Sequence, residues 1–346
     1  MSLSRRVTFA SAVALLLNLG RIPLALASGE VVPGFEKYPQ NTLVPTTEFG
    51  RWIDSTYRLI AYWEVGIFAV VALGLLIAIV RFRARPGHTA QHDMHGHTGL
   101  ELGWTLLPAV ILAFIAVPTV RTIFRSQAPA AANALQIKVI GHQWWWEFQY
   151  PTLGITTANE LHLPLGQTAN FELTSADVIH SFWFPGFGGK RDVIPGHPNA
   201  IWWTPEKVGL FRGQCAEFCG VSHANMRMRA FVDTPADFQV WVASQQAKPD
   251  SVQPAGDALA GAKVFSSSAC VGCHMINGVS FGVLGPNLTH VGSRTTIAGG
   301  TMANTPENVA RWLKNPPQEK PGSLMPNLAL TDDQIKVLVA YLESLK

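Results

Sequence analysis

Two short stretches of this chain concentrate its soft metal-binding side chains. In Cys215-Ala-Glu-Phe-Cys219-Gly-Val-Ser-His223-Ala-Asn-Met226, two thiols have three residues between them. An imidazole follows four positions later and a thioether three after that, with His180 lying 35 residues upstream of Cys215. Thiolate and thioether ligands select soft metals and imidazole suits copper, so two Cys, two His and a Met form a copper set before a zinc set. Two thiolates at this spacing can bridge two metal ions and spread one electron over both. The alternatives are a Cys215–Cys219 disulfide or structural zinc, neither of which uses a thioether. The second stretch, Cys270-Val-Gly-Cys273-His274, has the spacing of a c-type haem attachment site, with His274 as proximal iron ligand. A redox dithiol would lack the adjacent histidine. The sixth iron ligand must come from elsewhere in the chain, and Met325, Met302 and Met275 compete for it. A Met/His pair raises the haem potential. Both motifs carry electrons, and together they use all four cysteines.

Positioning these groups requires at least two folded modules, which 346 residues allow. The chain is 48% hydrophobic and 14% charged, an apolar balance concentrated in its first 125 residues. A net charge of +3 is small and does not argue for nucleic acid as a partner. Residues 1–27 read as a signal peptide, with Arg5-Arg6, an apolar stretch and Ala25-Leu26-Ala27 before Ser28. Within residues 28–125, two apolar runs at about 59–80 and 102–120 approach the ~20 residues a bilayer core requires. Arg81, Arg83 and Arg85 place the 81–101 loop in the cytoplasm, so both ends face outward. That loop carries His88, His92, His95 and His97, readable as a solvated tract or as metal ligands.

Residues 126–243 read as short strands separated by Gly, Pro and Asn, with candidates at 135–140, 144–150, 168–174, 200–204, 209–214 and 228–232. An antiparallel sandwich or barrel is expected. Residues 244–256 form a polar linker with a reach of ~20 Å. Residues 257–346 read as a helical module, with helices at 257–265 and 306–313 and a closing helix capped by Thr331.

The motifs together resemble subunit II of the haem–copper oxidases, the subunit holding the binuclear Cu-A centre. The resemblance rests on Asp177-Val-Ile-His180-Ser-Phe-Trp, Gly213-Gln-Cys215-Ala-Glu-Phe-Cys219-Gly, Gly141-His-Gln-Trp144-Trp-Trp and Glu101-Leu-Gly-Trp-Thr-Leu-Leu-Pro, in the family's order. It implies a membrane-anchored chain with a two-helix hairpin, a cupredoxin-like β-sandwich and an all-α class I cytochrome c domain. By the same resemblance, Cys215 and Cys219 bridge two coppers, with His180 and His223 as terminal ligands. Met226 and the Glu217 carbonyl complete the set, and the Glu217 side chain reaches a magnesium ion shared with subunit I. Trp144 corresponds to the aromatic residue through which electrons reach Cu-A, and Glu101 to a carboxylate near the mouth of a proton pathway. Trp145 stands where a tyrosine is more usual. Without the resemblance, the tryptophan cluster reads as core or interface anchors and Glu101 as an interfacial residue.

The sequence around Met325 has the context of the cytochrome c iron ligand, and the loop carrying Arg294 resembles the family's haem loop, with Arg294 facing a propionate. The fusion is similar to caa3-type oxidases, whose subunit II carries its own cytochrome c. A tether of this length holds donor near acceptor at roughly millimolar concentration, so docking need not be tight. The implied function is to pass electrons from cytochrome c or a bc1-type complex, through haem c and Cu-A, to a catalytic subunit that reduces oxygen with proton pumping. Subunits I and III are the implied partners. A bacterial inner membrane is the implied location, with both redox domains on the periplasmic face. Two other readings are the equivalent subunit of a Cu-A nitric oxide reductase and a membrane copper-assembly protein. The assembly proteins take their histidine from far downstream of the cysteines, whereas His180 lies upstream.

Overall fold

The computed structural model describes residues 40–83, 86, 96–247 and 254–346. The residues read as a signal peptide, and Arg85, His88, His92 and His95, lie outside that set. Helix α1 (Glu48–Arg81) begins at Thr47, whose hydroxyl accepts the Gly50 N–H, and ends on a basic turn. At 34 residues it spans roughly 50 Å, well beyond a bilayer core of ~30 Å. Its first turns explain the excess length over the apolar run. Phe49 is buried, and the Thr46 N–H and Thr47 hydroxyl donate to the Gly186 and Phe187 carbonyls of the following domain. Helix α2 (Thr98–Ser126) carries Pro108 and Pro118 inside it. The apolar side chains of both helices are largely exposed, as spans facing lipid must be.

The β domain consists of two five-stranded sheets. One has the order β3-β2-β1-β5-β8: Ile155–Ala158, Trp145–Tyr150, Leu135–His142, Ala169–Ser175 and Asn199–Trp203. The other has the order β4-β10-β9-β6-β7: Glu160–Pro164, Arg227–Asp233, Gly209–Cys215, His180–Trp183 and Arg191–Val193. Strand β1 alternates buried and solvent-facing residues, the period its sequence predicts. The sandwich is mixed rather than antiparallel, because β1 pairs β5 and β10 pairs β4 in parallel. The chain crosses between sheets at Asn159, in the left-handed region at φ 61, with its carboxamide oxygen accepting the Trp146 N–H. Strands β3, β4, β6 and β7 have no counterpart among the strands expected from composition and alternation; all are three to five residues long.

Trp146, Phe148, Phe171, Phe182, Phe184, Phe187 and Trp203 fill the space between the sheets. Phe182 stacks on Trp203 at 5.4 Å, and Trp146 meets His180 edge-on at 5.9 Å, so the aromatic core packs directly against a candidate ligand. Helix α3 (Pro235–Gln246) lies against the sandwich through Phe238 and Val242, running into the stretch read as linker.

The C-terminal domain has a separate core. Helix α4 (Gly256–Ser267) crosses α8 (Asp332–Ser344) at Gly261, where a Cβ would lie 2.0 Å from the Val337 carbonyl oxygen; only glycine permits the approach. Thr331 caps α8 in a full capping box with Gln334. Between them lie α5 (Cys270–Cys273), α6 (Pro306–Lys314), α7 (Pro316–Glu319) and two-residue ladders β11/β12 (Met275–Ile276, Ser280–Phe281) and β13/β14 (Thr296–Ile297, Met302–Ala303).

Candidate metal and haem centres

Strand β9 ends on Cys215, and the loop back to β10 carries Cys219, His223 and Met226. Adjacent β6 begins at His180. Antiparallel pairing of β6 with β9 through Phe182–Cys215 brings the distant histidine to the loop. The sulfurs of Cys215 and Cys219 are 3.8 Å apart, far beyond the about 2.05 Å of a disulfide. His180 Nδ1 lies 3.9 Å from the Cys215 sulfur, His223 Nδ1 lies 3.5 Å from the Cys219 sulfur, and Met226 Sδ lies 3.9 Å from the latter. The Glu217 carbonyl oxygen is 3.3 Å from the Cys215 sulfur, while its side chain faces outward 3.8 Å from Lys190 Nζ. All six groups expected at this site therefore converge. Two close thiols sharing a proton hold Cys215 well below the ordinary thiol range and push Cys219 up.

Asp177, three residues before His180, was not assigned a role from sequence. It accepts the His180 Nε2–H at 2.8 Å, and its other oxygen accepts the Gln143 N–H at 2.6 Å. This bond fixes the tautomer, leaving Nδ1 unprotonated with its lone pair turned toward the sulfurs. Burial pulls the His180 pKa down, but Asp177 and the Cys215 sulfur outweigh it and raise it. The Asp-x-x-His spacing is the signal that could have found this residue.

In the C-terminal domain, Cys270 is buried and Cys273 half-buried on α5. His274 Nδ1 donates to the Pro286 carbonyl at 2.8 Å, which leaves Nε2 free for iron, and burial lowers its pKa. A Cβ at Gly285 would lie 2.6 Å from the His274 ring, so the loop holding Pro286 can approach only because that residue is glycine. Arg294 is half-buried, its Nε has no partner, and desolvation lowers its pKa to about 10. Such a cation suits a propionate. Met325 packs against the core cluster that contains Cys270. Met302 lies in the β13/β14 ladder, and the Met275 sulfur accepts from Asn287 Nδ2 at 3.4 Å.

Trp144 lies at the boundary between the two domains. Its Nε1–H donates to the Cys219 carbonyl at 2.9 Å. Trp144 is only 7% exposed, because the C-terminal domain covers it. A Cβ at Gly322 would meet its ring at 2.8 Å, and Lys320 Nζ donates to its carbonyl at 2.5 Å. Glu101 lies far along the chain from these centres, at the start of α2, where it accepts the His97 N–H at 3.2 Å.

Three segments of the chain match known families. Residues 51–122 match the cytochrome c oxidase subunit II transmembrane domain, residues 152–231 its periplasmic domain, and residues 258–346 cytochrome c. Cytochrome c oxidase subunit 2 of Alkalihalophilus pseudofirmus is 35% identical over 313 residues, spanning 88% of this chain and 90% of the relative. The chain belongs to the cytochrome c oxidase subunit II family. Its Bacillus subtilis relative of the same name is 33% identical, spanning 96% of this chain and 97% of the other. The crystal structure of the periplasmic domain of subunit II of cytochrome oxidase from Bradyrhizobium japonicum is 35% identical, with a TM-score of 0.33, covering 34% of this chain and 96% of that one. The caa3-type resemblance is thereby borne out: this is a membrane-anchored oxidase subunit through which electrons enter, with a cytochrome c domain of its own. The family implies Cu-A and haem c, and the donor sets fit both. No observation favours the nitric oxide reductase or copper-assembly readings.

Proposed function

We propose that this chain carries electrons from its own haem c, through Trp144 and Cu-A, to the catalytic subunit of a proton-pumping oxidase. One contact supports this reading above the others. Trp144 is hydrogen-bonded to the backbone of Cys219 and lies under Gly322 of the haem domain, so a single indole touches both redox modules. Cys215, Cys219, His180, His223, Met226 and the Glu217 carbonyl would hold the two coppers, which when bound would supply one delocalised redox centre. Burial of both sulfurs and of the Met226 thioether excludes water, and Asp177 holds the proton on His180 Nε2. The half-exposed Glu217 carboxylate is free to turn from Lys190 toward a magnesium ion at the subunit I boundary.

In the haem domain, Cys270 and Cys273 would anchor the macrocycle through their sulfurs, His274 and Met325 would ligate its iron, and Arg294 would pair with a propionate. Glu101 stands at the helix start where a proton path of the catalytic subunit opens. Subunits I and III, and a cytochrome c or bc1-type complex as donor, complete the chain of partners. The redox domains face the periplasm from a bacterial inner membrane. Purification of the complex with metal and haem analysis tests this reading. Two coppers and one haem c per chain are expected, with an electron paramagnetic resonance signal shared over both copper nuclei. A localised signal from one copper per chain would refute the binuclear centre.

A further inference from the structure

The boundary between the two redox domains contains a buried carboxylate that electron transfer itself does not require. Glu160, the first residue of β4, is 4% exposed. Its Oε1 accepts the Thr295 hydroxyl at 2.6 Å, the Thr296 hydroxyl at 2.9 Å and the Thr296 N–H at 2.9 Å; the Thr295 N–H lies 2.9 Å from Oε1 and 3.1 Å from Oε2. All four donors belong to the cytochrome c domain and sit at the start of β13. From the Cu-A side, Arg229 donates to the Thr295 hydroxyl at 3.0 Å, so that hydroxyl is held from both directions. The carboxylate charge also acts on half-buried Arg294 and on Arg229, partly offsetting the desolvation that lowers both. Around this clasp, the Arg227 N–H donates to the Gly299 carbonyl at 2.9 Å, and the Ser222 hydroxyl to the Pro321 carbonyl at 2.5 Å.

Four donors aimed at one buried carboxylate are costly to leave unpaired, since each separated partner must be solvated again. A domain that met its acceptor only by tethered collisions would not need them. We propose that the cytochrome c domain is latched to the Cu-A domain by the Glu160 carboxylate clasped between Thr295 and Thr296, so that haem c reduces Cu-A from one fixed docked geometry. Glu160 is a positioning residue, and the latch rests on the electron route proposed above. A soluble donor is then shut out from Trp144 and must deliver its electron to the haem domain.

The test uses the full chain in its assembled, metal- and haem-loaded complex, with a protease site inserted at residues 248–253. After cleavage of the wild type, the haem domain should stay with the complex through dilution and gel filtration. Glu160→Gln, and separately Thr295→Val with Thr296→Val, should speed its release at least about tenfold, the factor of one charge-assisted hydrogen bond. In the uncut complex, haem-to-copper transfer should be independent of solvent viscosity in the wild type and viscosity-dependent in Glu160→Gln. Prompt release of the wild-type domain after cleavage overturns the latch. Equal retention of wild type and both variants overturns the role of Glu160. A haem domain that stays bound but does not reduce copper refutes the proposed electron route and leaves the latch standing.

Discussion

Asp177→Asn probes how the copper site is held without touching a ligand. In the native chain the carboxylate accepts the His180 Nε2–H at 2.8 Å, the Gln143 N–H at 2.6 Å and the Val178 N–H at 2.6 Å. A carboxamide keeps the shape but has one acceptor oxygen. If that oxygen takes the place that accepts the Gln143 N–H, the NH2 group takes the place facing His180 and Val178, Nε2 must become the acceptor, and the proton moves to Nδ1. Nδ1 is the atom 3.9 Å from the Cys215 sulfur, so the imidazole then presents a proton to the metal. Loss of such a ligand-orienting partner costs about 10–100-fold in metal affinity, roughly 1.4–2.7 kcal/mol. Copper titration against a competing chelator, with the spin resonance spectrum of the loaded protein, reads this directly. Asp233→Asn is the matched control. It removes a carboxylate paired with His162 at 2.8 Å, a histidine outside the copper ligand set, and should leave copper affinity unchanged. Equal copper affinity in Asp177→Asn and wild type would refute the tautomer argument.

Met325→Ala should abolish the sulfur-to-iron charge-transfer band and lower the haem potential, because the thioether ligand raises it; the same result from Met302→Ala instead would move the ligand to Met302. Trp144→Phe keeps an aromatic ring but removes the Nε1–H donated to the Cys219 carbonyl, which still accepts Gln143 Nε2–H at 2.8 Å. Stability should fall by only about 1 kcal/mol with copper and haem retained, while flash-initiated haem-to-copper transfer slows; an unchanged rate would take Trp144 out of the path. Burial lowers the Lys320 pKa from 10.5 to about 7. Below that value docked and undocked forms are both protonated and the burial cost is full. As pH rises from about 7 toward 10.5 the docked form sheds a proton the undocked form keeps, so docking should tighten. Retention of the linker-cut haem domain across that window checks the sign, and Lys320→Met should flatten the dependence.

The redox chemistry could be read along the chain because that chemistry is local. Cys215, Cys219, His223 and Met226 fall on one loop, and Cys270, Cys273 and His274 on one turn, so spacing alone tells which atoms can meet a common centre. The amphipathic closing helix and its Thr331 cap were legible for the same reason: a helix is written in contacts three and four residues apart. Strands β3, β4, β6 and β7 were not, since segments of three to five residues carry too little periodicity and are held by their neighbours in the sheet. Nor was the mixed pairing, which follows from where the chain changes sheets at Asn159. How the two redox modules face each other was settled by packing alone. Glu160 and Thr295 are separated by 135 residues, and Lys320 and the Trp144 carbonyl by 176. No pattern along the chain marks such partners, because each looks like an ordinary surface residue until the domains close and water leaves the boundary. Trp144 shows both sides of the division. Its identity and place could be read from its neighbours, but whether it faces solvent or another part of its own chain depends on contacts between domains that sequence spacing does not encode.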